Sequence, residues 1–560
     1  MADLLSTMIF IMLMYLSKNK ISLSLAVFNG LVACWLAGFT NLSFYRNISQ
    51  LSSYQGISNY LFIFVTFVLI GTFYFFVLQL LNWRKTAKTL SIMLIILTGM
   101  TSYFVNQLGV DVSTSQIENV AQTDLHETLD LLSFPFLLWC LATIVLPMIV
   151  LYFIQIRQDS FKKVVMTKLA SLVIALAVMG GGLFSFYSQY APIFREHRQL
   201  KAQISPLNVL SSGTSYLTKQ FKHSDKTLVL YGQDAHVVAT AAQTKPKILV
   251  LVVGETARAQ NFSLNGYTKI TNPELSKLDI INFTNVESCG TQTSVSVPCM
   301  FSGMPRKDYD DGLASHREGL LDIAQRAGYQ VTWIDNNSGC KGVCARIKHY
   351  ISPKDDPRYK KWCDKNECRD GILIDALTDY LKTLDVEHLQ QSQLIVLHQM
   401  GSHGPAYYKR YPAEFKKFTP TCETNNIQNC DHQALINTYD NTILYTDHIL
   451  ASTIGLLKQQ PVASSMLYLS DHGESTGESG LYLQGTPYMV APKQQTHIPM
   501  LFWFSQQWSD QSKIYQCLSQ YKDSAWSQDN LFPTLLGLLN IQTQVLDPKL
   551  NMLSSCKGQI

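Results

Sequence analysis

No stretch of this 560-residue sequence interleaves basic residues with aromatics, and its net charge of +4 is small for the length. Nothing in it points to a nucleic-acid partner. H-E-x-x-H is absent, which removes the zinc-peptidase helix. The G-x-S-x-G elbow and the Walker A loop are absent too, so neither hydrolase nor nucleotide-binding machinery of those types is on offer. There is no internal repeat and no low-complexity tract, which excludes a solenoid. Residues 1–190 are poor in charge altogether.

What those residues do have is long apolar runs. Crossing about 30 Å of hydrocarbon takes roughly 20 apolar residues. Five runs qualify: about 22–44, 59–81, 88–107, 130–155 and 165–187, each bounded by polar or charged residues. A soluble core helix rarely stays apolar this long, so these are predicted membrane spans. A further run, 4–16, is too short to cross alone. It reads as a short leader to the first span or as a consequence of where translation was taken to begin. No small-residue cleavage site follows it, which disfavours a cleaved signal peptide.

The loop after span three has no Lys or Arg, but carries Asp111, Glu118, Asp124, Glu127 and Asp130. The loop after span two carries Arg84, Lys85 and Lys88, and that after span four Arg157, Lys162, Lys163 and Lys168. Basic loops stay in the cytoplasm. The N-terminus is therefore expected inside, and everything after span five outside. Cysteine is an independent check. Of twelve, Cys34 and Cys140 sit in spans, and the other ten follow residue 288. An even number, largely in close pairs, suits disulfides in an oxidising compartment. Nearest neighbours give Cys289–Cys299, Cys340–Cys344, Cys363–Cys368 and Cys422–Cys430, which leaves Cys517 with Cys556. A four-thiolate zinc site in CKGVC and CDKNEC is the minor alternative, since that compartment disfavours free thiolates.

The organisation expected is a transmembrane domain over 1–187, a connector over 188–246 and an α/β domain over 247–560. In the last, short apolar runs at 247–255, 329–337, 393–400, 464–473 and 497–505 alternate with helical patterns at 316–327, 371–385 and 432–458. Continuous apolar runs suit strands buried on both faces, so the sheet should be mostly parallel. Sites in such sheets form beyond the carboxyl ends of the strands. There the sequence places Glu255, Asp335-Asn336-Asn337, His398 with His403, and Ser470-Asp471-His472-Gly473-Glu474. Singly, each reads as readily as a helix cap or a turn residue. Together, carboxylates and imidazoles on several strand ends suit zinc or manganese. One loop, SCGTQTSVSVPC at 288–299, is rich in hydroxyls between two cysteines. A serine or threonine needs a base or a metal to become a nucleophile. Spacing alone leaves Thr291, Thr293, Ser294 and Ser296 open for that role.

VVGETARAQNFSLNGY (252–267), SCGTQTSVSVPCMFSG (288–303), HQMGSHGPAYYKRY (398–411) and SDHGES (470–475) closely resemble the lipid A phosphoethanolamine transferases of Gram-negative bacteria. That family includes the transferable colistin-resistance enzymes, and the resemblance covers nearly the whole chain. It implies five spans and a periplasmic domain of the alkaline-phosphatase/sulfatase type, multi-pass in the inner membrane. It implies that Thr293 is the nucleophile and that Glu255, Thr293, Asp471 and His472 bind Zn2+. Phosphatidylethanolamine is the implied donor and lipid A the acceptor, with a phosphoethanolamine-threonine intermediate between them. Envelope negative charge falls, and polymyxin resistance follows. The implied substrate positions are Asn119, Thr123, Glu127, Ser338, Lys341 and His403, with His403 also a candidate general acid. A monomer is expected. One position departs: relatives carry Y-L-H-G where this chain has LYLQG, so Gln484 replaces a histidine and cannot titrate. That bears on a second metal and on protonation of the leaving group, not on the reaction class.

Two other readings stand beside this one. The same fold could transfer phosphoethanolamine to core heptose or another glycan, or act as a membrane-anchored phosphodiesterase. Sulfate hydrolysis is disfavoured because no arginine follows Pro298 at sulfatase spacing. A non-catalytic receptor would be expected to have lost the metal constellation, and here it is complete.

Overall fold

The computed structural model describes residues 20–122, 131–223, 227–238, 246–364, 367–384 and 389–556. The run 4–16 and the positions Thr123 and Glu127 lie outside the described residues. Two compact units share the chain: Met1–Thr114 with Ser133–Thr214, and Ser115–Leu132 with Ser215–Ile560. The expected connector is thus divided, and through Thr214 it groups with the helices. A short segment from between spans three and four groups with the sheet domain instead.

The helical unit opens with β1 (Ile21–Leu23) and α1 (Leu25–Leu51), followed by α2 (Ile57–Leu81) and α3 (Ala87–Leu108). Next comes α4 (Thr114–Gln122), which from Ser115 onward belongs to the other unit. Then follow α5 (Phe134–Phe153), β2 (Ile154–Ile156) and α6 (Phe161–Ser185). All but α4 are long and apolar enough to cross a bilayer. Helices suit that solvent because each satisfies its own backbone polar groups. Small residues let them approach: a Cβ on Gly99 of α3 would fall 2.3 Å from Ile144 of α5. At one end, α1, α2 and α6 meet around polar side chains. Asn29 donates to Gln79 at 3.0 Å, and Asn82 donates to Asn29 at 2.7 Å.

The second unit contains β3 (Ile248–Gly254), β4 (Ile280–Phe283), α7 (Thr293–Ser302), β5 (Gln330–Asp335) and β6 (His349–Ile351). After them come α8 (Gly371–Thr383), β7 (Gln393–His398), α9 (His432–Lys458), β8 (Ser464–Ser470) and β9 (Met500–Phe504). The sheet runs β4-β9-β8-β3-β7-β5-β6. β8, β3, β7, β5 and β6 are parallel, while β9 runs antiparallel to both β8 and β4. Every residue of β3, β7 and β8 is buried, as expected of apolar strands covered on both faces. Register decides the function. Gly254 lies opposite Ser470, Val253 opposite His398, and His398 opposite Asp335. Four central strands therefore end at one level, and the residues that follow them emerge side by side.

Candidate active site

Glu255 leaves β3 directly into a tight turn. Thr256 adopts φ +60°, a left-handed conformation uncommon outside glycine. That turn aims its N–H at Asp471 Oδ1, 3.0 Å away, and its hydroxyl at Glu255 Oε1. The adjacent N–H of Ala257 bonds Ser470 Oγ at 2.8 Å. Gly401, beyond β7, passes so close that a Cβ there would sit 2.6 Å from the Glu255 carbonyl oxygen. Asn337, beyond β5, donates to Glu255 Oε2 and to the Gln399 carbonyl, both at 2.8 Å. Three strand ends thus hold one glutamate in place.

The four hydroxyls of the 288–299 loop have separate fates. Thr291 donates to the Thr486 carbonyl at 2.7 Å, and Ser296 accepts from the Gly290 N–H at 3.1 Å. The Ser294 hydroxyl is buried without a partner. Thr293, first residue of α7, donates to Glu255 Oε2 at 3.1 Å and lies 3.4 Å from His472 Nε2. A disulfide joins Cys289 to Cys299 across it. Disulfides also join Cys340–Cys344, Cys363–Cys368, Cys422–Cys430 and Cys517–Cys556, so the four sulfurs of CKGVC and CDKNEC are bonded to one another in pairs.

Glu255, Asp471 and His472 converge with ligand atoms within 4.8 Å of one another, all fully buried. His472 Nδ1 faces the Gly473 carbonyl at 2.8 Å. That contact requires the proton on Nδ1, so Nε2 turns a lone pair to the cluster. Asp471 Oδ2 is buried with no hydrogen-bond partner. His472 Nε2 stands 3.2 Å from it and 3.4 Å from Glu255 Oε1. Separations of this size match the edges, about 3.3 Å, of a tetrahedron with zinc-like arms of about 2.0 Å. Hard oxygens and one imidazole suit a divalent cation, so the residues fit the group that the strand-end pattern predicted. Electrostatics point the same way. Burial and the neighbouring Glu255 charge raise the Asp471 carboxyl. Burial pushes Glu255 up as well, while the Thr256 hydroxyl, donating to its charged form, pulls against burial. Two buried carboxylates with oxygens within 4.8 Å of each other call for a cation between them.

Of the remaining predicted positions, Ser338 and Lys341 join this centre through Asn337. Lys341 donates to Ser338 Oγ at 2.8 Å, and Ser338 Oγ donates to Asn337 Oδ1 at 3.0 Å. Lys341 is held at φ +50°. It lines a cavity of about 200 Å³ with Ser294, Glu118 and Arg317. His403 sits on the turn after β7, its Nδ1 buried and unpartnered, as is Gln484 Oε1. Asn119 lies on α4, half-buried and one turn beyond Gln116. Gln116 donates to the Gln484 carbonyl at 3.2 Å.

Two family models match separate parts of the chain. The sulfatase family matches residues 247–541, and the family described as phosphoethanolamine transferase EptA/EptB matches residues 69–221. Phosphoethanolamine transferase EptA of Salmonella typhimurium is 40% identical over 534 residues, 94% of this chain and 96% of that protein. The chain belongs to the phosphoethanolamine transferase EptA/EptB family. Phosphatidylethanolamine transferase Mcr-1 of Escherichia coli is 37% identical, over 91% of this chain and 94% of its own. Among solved structures, the integral membrane protein lipooligosaccharide phosphoethanolamine transferase A from Neisseria meningitidis superposes with a TM-score of 0.90. It is 34% identical, covering 96% of this chain and 99% of its own. The protein is therefore a membrane-embedded transferase with a sulfatase-like catalytic domain.

Residue patterns missed three parts of this EptA-type site. Asn337 was visible at a strand end, but nothing marked it as the residue that orients Glu255. The left-handed turn at Thr256 has no sequence signal, because threonine rarely adopts it. The Gln116–Gln484 bond joins residues 368 apart in the chain, beyond any local pattern.

Proposed function

We propose that the protein transfers phosphoethanolamine from phosphatidylethanolamine to a phosphate of lipid A, through a covalent intermediate on Thr293. The observation that carries this is the single hydroxyl of the loop that faces Glu255, Asp471 and His472. Glu255, Thr293, Asp471 and His472 would hold a zinc ion, which would supply the Lewis acidity that makes a hydroxyl nucleophilic near neutral pH. Thr293 Oγ forms a bond to the donor phosphorus while the bond from phosphorus to the diacylglycerol oxygen breaks. The Thr293 proton moves toward Glu255 Oε2, its present acceptor. Protonation of the departing alkoxide is assigned to His403, whose buried Nδ1 has no hydrogen-bond partner in the protein, since Gln484 cannot titrate. In the second half, a phosphate oxygen of the acceptor attacks the same phosphorus and Thr293 leaves. Lys341 supplies a cation for phosphate, and Asn119, Thr123, Glu127 and Ser338 complete the substrate positions.

The names of relatives support this choice of substrates. Mcr-1 is named for phosphatidylethanolamine, and the meningococcal protein for lipooligosaccharide. Basic loops at 82–88 and 154–163, with disulfides confined to the sheet domain, support a cytoplasmic N-terminus and a periplasmic catalytic domain in the Gram-negative inner membrane. Each transfer masks a lipid A negative charge, which would weaken polymyxin binding.

Expression in a polymyxin-sensitive Gram-negative host, followed by mass spectrometry of lipid A, tests this reading. One added phosphoethanolamine is expected with the wild type and none with Thr293→Ala. Unmodified lipid A with modified core sugar would transfer the assignment to a glycan acceptor.

A further inference from the structure

At the end of the helical unit where α1 begins and α2 ends lies a cavity of about 140 Å³. It is several times the roughly 30 Å³ share of a water molecule. Its wall includes Ser24, Gln79, Arg157, Lys163, Thr167 and Lys168. Lys168 is the unusual member. The residue is 8% exposed, and its ammonium donates to the carbonyls of Gln79 and Asn82, each at 2.6 Å. The Trp83 ring lies 4.2 Å beneath it. All of these partners are neutral, so among the described residues no carboxylate balances this buried charge. The cavity's single acid, Asp159, is already shared by Arg157 at 3.2 Å and Lys163 at 3.1 Å. Three cations against one carboxylate leave the pocket with an excess of two positive charges. Buried charges are ordinarily paired, because removing an ion from water is costly.

We infer that this cavity binds the phosphate of an anionic phospholipid headgroup. The chemistry recognised is a phosphodiester, and three features favour a lipid over a free ion. The pocket opens among helices whose outer faces are apolar, where acyl chains can lie. An aromatic pair of the kind that settles at headgroup level adjoins it: Trp83, under the Lys168 ammonium, stacks on Phe161. Basic pockets between spans are the type of site that takes acidic headgroups. The first turn of α1 adds unsatisfied N–H groups and no acidic residue. None of its lining residues belongs to the transferase centre, and lipid would bind there whether or not that centre is occupied.

Native mass spectrometry of the full-length protein in detergent, with phosphatidylglycerol, phosphatidylethanolamine or inorganic phosphate added, tests this. Retention of one phosphatidylglycerol is expected at concentrations where phosphatidylethanolamine washes off. Arg157 and Lys163 are more than half exposed, so Arg157→Gln with Lys163→Gln leaves the bundle intact. Removing these two cations should cut retention by about thirtyfold. Lys85→Gln with Lys162→Gln removes the same charge from exposed residues that do not line the cavity, and retention should persist. Equal loss in both double variants, undiminished binding by the first, or equal retention of the two lipids would overturn the proposal. Displacement of phosphatidylglycerol by millimolar inorganic phosphate would overturn the lipid as the source of the phosphate.

Discussion

Gln116 of α4 donates from Nε2 to the main-chain carbonyl of Gln484, 3.2 Å away and 368 residues on. The next residue, Gly485, has φ +88°, and a Cβ there would fall 1.9 Å from the same Nε2. The turn therefore lies hard against α4, the helix that carries Asn119. The turn is in its turn tied to the nucleophile loop, since Gly485 N–H donates to the Thr291 carbonyl at 2.8 Å.

If α4 positions the donor lipid, Gln116→Ala should act on KM more than on kcat. One neutral hydrogen bond is worth about 1 kcal/mol, or roughly a fivefold loss in kcat/KM. Gly485→Ala should cost more, because it displaces the helix as well as straining the turn. Steady-state kinetics with a phosphatidylethanolamine analogue separate the two parameters. A fall in kcat alone, with KM unmoved, would place Gln116 outside donor binding.

Asn337 is expected to act through Glu255. Its amide donates to Oε2 and to the Gln399 carbonyl, both at 2.8 Å, so both of its N–H groups are used within the protein. Groups that orient metal ligands typically change metal affinity by about 10–100-fold when removed. Asn337→Ala should therefore weaken zinc binding on that scale in a competition titration, with far-ultraviolet circular dichroism unchanged. Retention of wild-type affinity would mean that Thr256 and the backbone hold Glu255 unaided.

How much of this was legible beforehand depended on burial and on distance along the chain. β3, β7 and β8 are buried throughout, so their apolar runs stood out, and so did Glu255, His398 and Asp471 at their ends. β4 and β6, at the sheet edges, have only four and three residues, several of them half-exposed, and left no comparable trace. Helices 371–383 and 432–458 followed their periodicity nearly to the residue. The choice of Thr293 among four hydroxyls came from family resemblance. Its physical basis, contact with Glu255, requires β3 and α7 to be brought together. The attachment of α4 to the sheet domain is wholly tertiary.

Asp447, buried in α9, gives a pH test away from the metal. Its oxygens accept from the N–H groups of Glu274 and Leu275 at 2.8 and 3.2 Å. Burial, chiefly, pushes its carboxyl up to about 7. The folded protein therefore holds this proton where an unfolded chain, at about 3.9, has lost it. The resulting stabilisation is complete below pH of about 4 and is lost as pH rises through about 7. Asp447→Asn removes that dependence. The difference between Tm at pH 5 and at pH 8 should be smaller in the variant than in the wild type. An identical difference in both would show that Asp447 ionises normally in the fold.

Removing the metal should reveal a conflict between stability and activity. Without a cation, the Glu255 and Asp471 carboxylates face each other fully buried, with Asp471 Oδ2 lacking any partner. Chelation should therefore lower Tm, since a bound ion stabilises only the folded state. Asp471→Asn offers a sharper test. Its Oδ1 would keep the N–H bonds from Thr256 and His472, at 3.0 and 2.7 Å. Its new amide would take the place of Oδ2, 3.2 Å from the lone pair on His472 Nε2. A repulsive contact becomes a hydrogen bond, and one buried charge disappears. Metal-free Asp471→Asn should thus melt at a higher temperature than the metal-free wild type. The same variant should bind little zinc and leave lipid A unmodified. Such a reversal is the signature of a site strained for function rather than built for stability. If the metal-free variant were instead less stable than the metal-free wild type, the two carboxylates would not be in conflict.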